Sequence, residues 1–352
     1  MDLYIKGIGC ISPQLSYDNA VFLSELKSYT QNRLSCIEPD YTPFFDQRAM
    51  RRMSRIVKYS TAAGLMALRD AGIEKPDAIS TGTGWGLLEE SGKFLAAIIE
   101  ANEEVVSPTA FIQSTHNTVS ANIAVLVGCH AHNNTFSHKA FSFESALLDA
   151  QLTITENKYT NFLVGTYDET TDYSFGIMNR FHLFKNNPCT NFELLDYQNN
   201  GVLAGEGSAF FVLTPEPNPN NYGIFKGCAQ ILNAKDTNEI QNHISIFLEK
   251  NKVTLKDVDI VLSGLCGEQK QDMISLQLNL DFFTEQTICI YKNLCGEYFT
   301  ASSFAFWLAA KMMKTQTIPS EIVLQDKHKK PKNILFYNAH ATNFSVMLFQ
   351  AC

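Results

Sequence analysis

The sequence lacks the features that mark several functional classes. Its nine cysteines are scattered, odd in number and include no Cys-x-x-Cys pair, so neither a zinc site nor a disulfide framework is expected. No apolar run is long enough to cross a membrane, and the N-terminus carries Asp2 and no long apolar segment, so no signal peptide is visible. These absences predict buried thiols, no membrane span and a cytoplasmic location.

Basic residues are also in short supply. The chain has 28 Lys and Arg against 36 Asp and Glu, a formal net charge of −8. Such a balance argues against nucleic acid as the main partner. Glycine patterns of the Walker or dinucleotide-binding kind are absent as well, and no cofactor is expected.

What the chain does contain is a layered pattern. Its 352 residues are 45% hydrophobic, enough to bury a large core. Short apolar runs alternate with amphipathic stretches, which is typical of an α/β fold. The predicted strands are 3–11, 78–85, 161–165, 209–213, 224–231, 258–263, 334–338 and 344–350, and the predicted helices are 50–71, 87–100, 118–126, 140–156, 239–250 and 300–313.

One segment marks a boundary. Residues 215–221 hold three prolines and three asparagines, which favour turns over regular structure. Beyond it the strand and helix pattern starts again. We therefore expect an N-terminal half at 1–214, a linker at 215–222 and a shorter, similar C-terminal half at 223–352.

Five motifs in order carry a resemblance to a known family. They are Arg51-Arg52-Met53-Ser54-Arg55 before a long helix, Ser80-Thr81-Gly82-Thr83-Gly84, Val106-Ser107-Pro108 followed by Ser114, Asn117 and Asn122, Leu203-Ala204-Gly205-Glu206-Gly207-Ser208-Ala209, and Thr342-Asn343. Together they resemble the β-ketoacyl synthase branch of the thiolase-like family. The resemblance implies a five-layer αβαβα fold built from two similar halves, dimers, and in active members a Cys-His-His triad for decarboxylative condensation.

All three triad positions are changed in this chain. The nucleophile position falls on Ala140, the first histidine position on Gly264 and the second on Glu297. A methyl group cannot attack a thioester, and a carboxylate would oppose a developing enolate. Lys292 is retained, and we expect it to pair with Glu297.

Substitute groups were considered near each position. Ser137, Ser142 and Ser145 are the hydroxyls closest to Ala140, and Cys266 lies close to Gly264; we expect polar helix-start groups and a buried thiol. The loop 338–343 has lost the family's glycines, and Ala339 takes the place of a gating phenylalanine. His340 in that loop is interpreted as structural.

A metal site was considered too. His130 and His132, with His138 nearby, could share one strand face, but no further ligand follows at a suitable spacing. No metal is therefore expected.

Further residues are expected to contact partners. In the family, the segment 107–122 lines the acyl tunnel and the dimer interface, which makes its polar and histidine positions candidates: Ser107, Pro108, Thr115, His116 and Asn117. A basic cluster formed by Arg48, Arg51, Arg52, Arg55 and Lys58 could dock an acidic acyl carrier protein, or could pair with acids of its own chain.

The favoured interpretation is a non-elongating ketosynthase homologue. It resembles the chain-length-factor subunits that pair with an active ketosynthase, with aryl-polyene or flexirubin-type pigment systems as the nearest analogy. Two alternatives stay open: an enzyme with an unorthodox nucleophile such as Ser142 or Cys266, and a homodimeric module that binds acyl groups or carrier protein.

Overall fold

The computed structural model describes residues 1–157, 159–187 and 189–352, and these residues form one mixed sheet with helices on its faces. The strands are β1 Leu3–Ile11, β2 Ala78–Gly82, β3 Asn133–Phe136, β4 Phe162–Asp168, β5 Gly207–Thr214, β6 Ile224–Ile231, β7 Ile260–Ser263, β8 Thr287–Ile290, β9 Val323–Gln325, β10 Asn333–His340 and β11 Asn343–Gln350. The helices are α1 Gln47–Met50, α2 Arg55–Asp70, α3 Leu88–Glu100, α4 Pro108–Ser114, α5 Thr118–Val127, α6 Ser142–Asn157, α7 Asp172–Arg180, α8 Thr237–Lys250, α9 Gln269–Asp281, α10 Lys292–Cys295 and α11 Ser302–Thr315.

The strand order repeats itself. The first half runs β3-β2-β4-β5-β1 and the second runs β8-β7-β10-β11-β6, with β9 added at the outer edge. In each half the first three strands are parallel and the last two are antiparallel. The two half-sheets join through a short pairing of β1 with β6, at Leu3 with Phe225 and Tyr4 with Ile224.

Helices complete five layers. Helices α2 and α5 cover the outer face of the first half-sheet, and α8 and α9 cover the outer face of the second. Helices α6 and α11 lie between the half-sheets, because α6 contacts β2, β4 and β6 while α11 contacts β1, β5, β10 and β11. This αβαβα arrangement of two similar halves confirms the expected fold class.

Phe306 of α11 shows how the central layer is packed. Its ring lies 5.5 Å from that of Phe143 on α6, 4.3 Å from Phe211 on β5, 5.4 Å from Phe225 on β6 and 4.8 Å from Phe349 on β11. Edge-on and tilted contacts of this kind stabilise aromatic clusters beyond simple burial. One side chain therefore ties both half-sheets to both central helices.

The predicted elements are largely observed, with one clear correction. The helix expected over 50–71 begins only at Arg55, because Ser54 is extended and the separate turn α1 precedes it. It ends as expected before Gly72, whose φ of +68° suits a residue without a Cβ. Residues 215–222 connect β5 to β6 without regular structure.

Helix α9 was missed by the sequence pattern. Its buried face includes Asp272, Ser275 and Asn279, so it does not look amphipathic. Two of these groups have partners elsewhere in the fold: Asn279 Oδ1 accepts from the Tyr337 hydroxyl at 2.9 Å, and Asp272 accepts the N–H groups of Cys266 and Gly267 at 2.9 and 2.7 Å. These hydrogen bonds allow Asp272 and Asn279 to be buried.

No helix among residues 1–157, 159–187 and 189–352 combines the length and apolarity needed to cross a bilayer.

Candidate functional site

A sharp turn carries the nucleophile position. Strand β3 ends at Phe136, and residues Lys139–Phe141 form a single 3-10 turn before α6. Lys139 has a φ of +49°, an uncommon conformation for a residue with a Cβ. Ser142 Oγ holds the turn: it accepts the His138 N–H at 2.8 Å and lies 2.7 Å from the carbonyl oxygen of Lys139.

Ala140 sits in this turn with 6% of its surface exposed. Strand β2 packs directly beneath, since a Cβ added at Gly82 would lie 2.4 Å from the carbonyl oxygen of Ser142. The turn between strand and helix is thus present, and its side chain at the nucleophile position is a methyl group. That atom cannot form an acyl-enzyme.

The neighbouring serines do not replace the nucleophile. Ser142 is fully buried, and its hydroxyl is engaged by the turn and by the carbonyl oxygen of Thr83 at 2.9 Å. Ser145 Oγ lies 3.4 Å from His138 Nδ1, a long contact on the exposed side of α6. Neither of these serines nor Ser137 lines the cavity described below.

Gly264, which the motifs assign to the first histidine position, follows β7, and its backbone is tightly covered. An added Cβ would lie 2.9 Å from the Cα of Asn338 and 2.9 Å from the carbonyl oxygen of Tyr337. A histidine would therefore require β10 to move. The nearby Cys266 is buried with its Sγ 3.3 Å from Asp272 Oδ1, and burial raises the pKa of its thiol, as expected for an inert cysteine.

Glu297, which the motifs assign to the second histidine position, pairs with Lys292. Nζ of Lys292 lies 2.6 Å from Oε2 of Glu297, and the two side chains are 1% and 18% exposed. Burial opposes the charged form of Lys292, but Glu297, Cys266 and Asp272 together outweigh it, so the pKa of the ammonium group is raised. The expected pairing is observed.

His340 is brought into the same region by the β10–β11 hairpin. Its ring lies edge-on to that of Phe299 at 5.0 Å, and burial lowers its pKa, which favours the neutral imidazole. Ala339 is buried opposite Phe344 in the hairpin. The loop 338–343 is thus a tight turn between two long strands, where Ala341 alone takes a positive φ of +54°.

Glu297 and His340 meet in a cavity of about 490 Å³. Its walls are mostly apolar and come from β2–α3, α7, the segment between α7 and β5, and the segment between α10 and α11: Trp85, Leu88, Met178, Leu183, Phe184, Val202, Ala204 and Phe299. The acidic residues Asp168, Glu169, Glu268 and Glu297 and the histidines His182 and His340 also line it. No lysine or arginine is among its lining residues in the described chain.

Asp168 is the structural anchor of this cavity. Its Oδ1 accepts from Thr83 Oγ1 at 3.0 Å and from the Gly84 N–H at 2.9 Å, and its Oδ2 accepts from Thr300 N–H and Oγ1 at 3.0 and 2.8 Å. Burial still raises its pKa. The carboxylate therefore ties β4 to the end of β2 and to the start of α11.

Glu169 follows Asp168 directly. Its Oε1 accepts the Glu89 N–H at 2.9 Å, at the start of α3, and burial raises its pKa to about 7. The sequence motifs did not identify Asp168 or Glu169. A pair of acids directly after a buried strand was the signal that could have found them.

The basic cluster divides in two. Arg55 binds Glu206 through two nitrogens at 2.6 and 2.9 Å and Glu38 at 2.6 Å, so its guanidinium serves the fold. Glu206 is fully buried and also accepts the Cys36 N–H. The self-pairing alternative thus applies to Arg55.

The other members of the basic cluster stay accessible. Arg48, Arg51 and Arg52 are exposed, and Lys58 is half-buried on α2. Their role in carrier docking stays a prediction.

The tunnel candidates lie at one end of the sheet. Ser107 and Pro108 start α4, and Thr115, His116 and Asn117 form the exposed link from α4 to α5. His116 reaches inward through its carbonyl oxygen, which accepts from the Tyr167 hydroxyl.

The outer edge of β3 is unpaired among the described residues. Helix α5 contacts β3, and α3, α4 and α5 contact in turn. These helices and the adjoining loop expose a set of large apolar side chains, here called the edge patch: Leu95, Ile99, Val105, Phe111, Ile112, Val125 and Leu126.

Two of the histidines near β3 have other side-chain partners. His132 Nε2 lies 2.7 Å from Asp149 Oδ2, and the Ser80 hydroxyl binds the same oxygen, while His138 faces Ser145 instead. No cluster of three potential ligands occurs in residues 1–157, 159–187 and 189–352.

Comparison with known proteins supports the resemblance. Residues 36–185 match the family described as β-ketoacyl synthase, N-terminal domain. No curated protein matches the sequence.

Solved structures match over nearly the whole chain. The structure titled the ishigamide ketosynthase/chain length factor is 16% identical, with a TM-score of 0.79 over 100% of this chain and 99% of that one. A β-ketoacyl synthase from Burkholderia phymatum is 16% identical, with a TM-score of 0.80 over 99% of both chains. The complex of the ketosynthase ApeO with its chain length factor ApeC, from Xenorhabdus doucetiae, is 16% identical with a TM-score of 0.77, over 99% of this chain and 98% of that chain. The chain therefore has the ketosynthase fold, and the resemblance predicted from its motifs is confirmed.

Proposed function

We propose that this chain is a non-elongating ketosynthase homologue that pairs with an active ketosynthase and shapes the acyl tunnel of the pair. The observation that carries the proposal is Ala140, a methyl group held in an otherwise complete strand-to-helix turn. The altered positions at Gly264 and Glu297 point the same way. Condensation in such a pair is performed by the partner's cysteine.

The edge patch supports pairing. Val125 is 79% exposed on α5, beside the unpaired outer edge of β3. Monomeric proteins seldom expose contiguous apolar surface of this kind beside an open sheet edge. Two β3 edges placed side by side would satisfy the free backbone groups and bury the patch. Ser107, Pro108, Thr115, His116 and Asn117 border this surface and are proposed to contact the tunnel and the partner.

Carrier-protein docking is proposed at the exposed arginines. Arg51 and Arg52 offer positive charge on a surface that is otherwise acidic on balance. An acidic carrier protein would be attracted to it, with an affinity that falls as salt rises. The finer assignment to an aryl-polyene or flexirubin-type system rests on analogy and on the short second half after the 215–222 boundary.

The test is co-expression with an intact ketosynthase encoded beside this gene. We expect a stable heterodimer, and we expect Val125→Asp to weaken it at least about 100-fold because a charge would be buried without a partner. Leu280→Asp on α9 is the matched control, since Leu280 is also exposed but lies in the other half of the sheet. A chain that stays monomeric with every such partner, or a Val125→Asp variant that pairs normally, would contradict the proposal.

Intact-mass measurement separates the remaining alternatives. After incubation with acylated carrier protein, we expect no covalent acyl group on this chain. An adduct would favour an enzyme with an unorthodox nucleophile. A homodimer that binds carrier protein without an adduct would favour the binding-module alternative.

A further inference from the structure

The chemistry of the cavity differs from what a condensing enzyme needs. Decarboxylative condensation develops negative charge on the substrate, which hydrogen-bond donors or cations stabilise. Here Glu297 and the neutral imidazole of His340 line the cavity. Lys292 is 1% exposed behind Glu297 and does not line the cavity, so the carboxylate is the side of the ion pair that faces inward.

The remaining charged groups strengthen this polarity. Asp168, Glu169 and Glu268 also line the cavity, and their oxygens accept N–H and O–H groups of the protein. Lys139 and Lys292 act on His340 from outside the lining. A ligand therefore meets carboxyl groups and no lysine or arginine among the lining residues, so an anionic head group would find no cationic partner there.

The walls are suited to an apolar body. Trp85 and Phe299 pack with their ring centres 5.4 Å apart, and Met178, Phe184 and Val202 continue the apolar surface. The volume of about 490 Å³ falls within the roughly 300–1,000 Å³ typical of small-molecule sites. Apolar walls with a few convergent polar groups are the usual composition of such sites.

We propose that this cavity binds, without covalent chemistry, an apolar molecule that ends in a hydrogen-bond donor, and that it discriminates against carboxylates. The donor is a hydroxyl or an ammonium group, which Glu297 accepts from, and the apolar body lies along Trp85 and Phe299. This site belongs to the chain itself and goes beyond its role in pairing. Failure to find a heterodimer would leave it standing.

The probes are 1-octanol, octylamine and octanoate, which share one chain length and differ in the head group. Trp85 is the reporter: it is 46% exposed at the cavity, whereas Trp307, the other tryptophan, is fully buried. Titrations of the full chain should change Trp85 emission at concentrations at least tenfold lower for octanol and octylamine than for octanoate. Octanol is the deciding arm, because it is neutral and insensitive to the net charge of the protein.

Variants locate the site and the selectivity. Glu297→Gln combined with Lys292→Met removes the ion pair without changing the net charge and should narrow the difference between octanol and octanoate at least threefold. Glu216→Gln removes one exposed acid elsewhere and should leave the preference unchanged. Met178→Phe should weaken all three probes, whereas Met273→Phe, on the exposed face of α9, should weaken none. Equal or tighter octanoate binding, no binding of any probe, or a preference that the double change leaves at its wild-type size would each overturn the proposal.

Discussion

The turn at Ala140 and the region of Gly264 and Glu297 differ from the family pattern in different ways. At the turn, the backbone is retained, closed by Ser142, and the change is confined to one side chain. At Gly264, the change involves the backbone, because β10 lies so close that it leaves no room for a side chain. A lost side chain can be restored by one substitution, whereas a lost space cannot.

The largest expected effect on stability is at Gly264. Gly264→His should lower the free energy of unfolding by at least about 3 kcal/mol, because its Cβ would collide with the backbone of β10. Urea unfolding measures this loss. Gly264→Ala carries the same Cβ without the ring and should show a substantial part of it. A Gly264→His protein as stable as the wild type would mean that β10 yields easily, and the contrast between the two regions would then fail.

The next effect concerns Glu144, which follows the turn on α6. Burial raises its pKa to about 7 from a reference of 4.5, while Ser345 Oγ donates to its Oε1 at 2.7 Å. A carboxyl with a raised pKa holds its proton in the folded state after the unfolded state has lost it. Its contribution is therefore complete below about pH 4.5 and falls as pH rises towards 7, by on the order of 3 kcal/mol.

Unfolding free energies measured between pH 5 and 8 check this dependence. Glu144→Gln should flatten the slope. Glu169→Gln is a useful comparison, since burial raises the pKa of Glu169 to about 7 as well. A wild-type slope that Glu144→Gln leaves unchanged would place the titrating group elsewhere.

The smallest effect is expected at the turn. Ala140→Cys adds one sulfur atom at a site whose backbone already suits it and should change the free energy of unfolding by less than about 1 kcal/mol. Release of carbon dioxide from malonylated carrier protein should stay at the wild-type level, since neither histidine is present. Strong decarboxylation by this variant would show that the region of Gly264 and Glu297 still supports catalysis, contrary to the structural contrast.

The sequence predicted those strands and helices whose apolar residues follow a simple pattern. Strands such as Ile224–Ile231 and helices such as Leu88–Glu100 have regular apolar spacing, and their bounds came out nearly as expected. Helix α9 and strand β8 are among the elements that were missed, and for α9 the reason is that its buried face is largely polar. Local periodicity does not register burial that is made possible by partners distant in the chain.

For the candidate site, residue identity and residue surroundings separate in the same way. Ala140, Gly264 and Glu297 could be read from motifs, and so could the pairing of Glu297 with Lys292. The cavity could not, because Trp85, Met178 and His340 come from β2–α3, α7 and the β10–β11 hairpin, far apart in sequence.

By itself the sequence predicted which side chains stand at the three triad positions, since motifs that occur in order suggest where each position falls. Only the tertiary structure decided that the turn persists, that β10 fills the space of a histidine, and that acidic residues line the remaining cavity. The reason is physical: a side chain's identity is local, whereas space, burial and electrostatic potential are produced by elements that meet only in the folded chain.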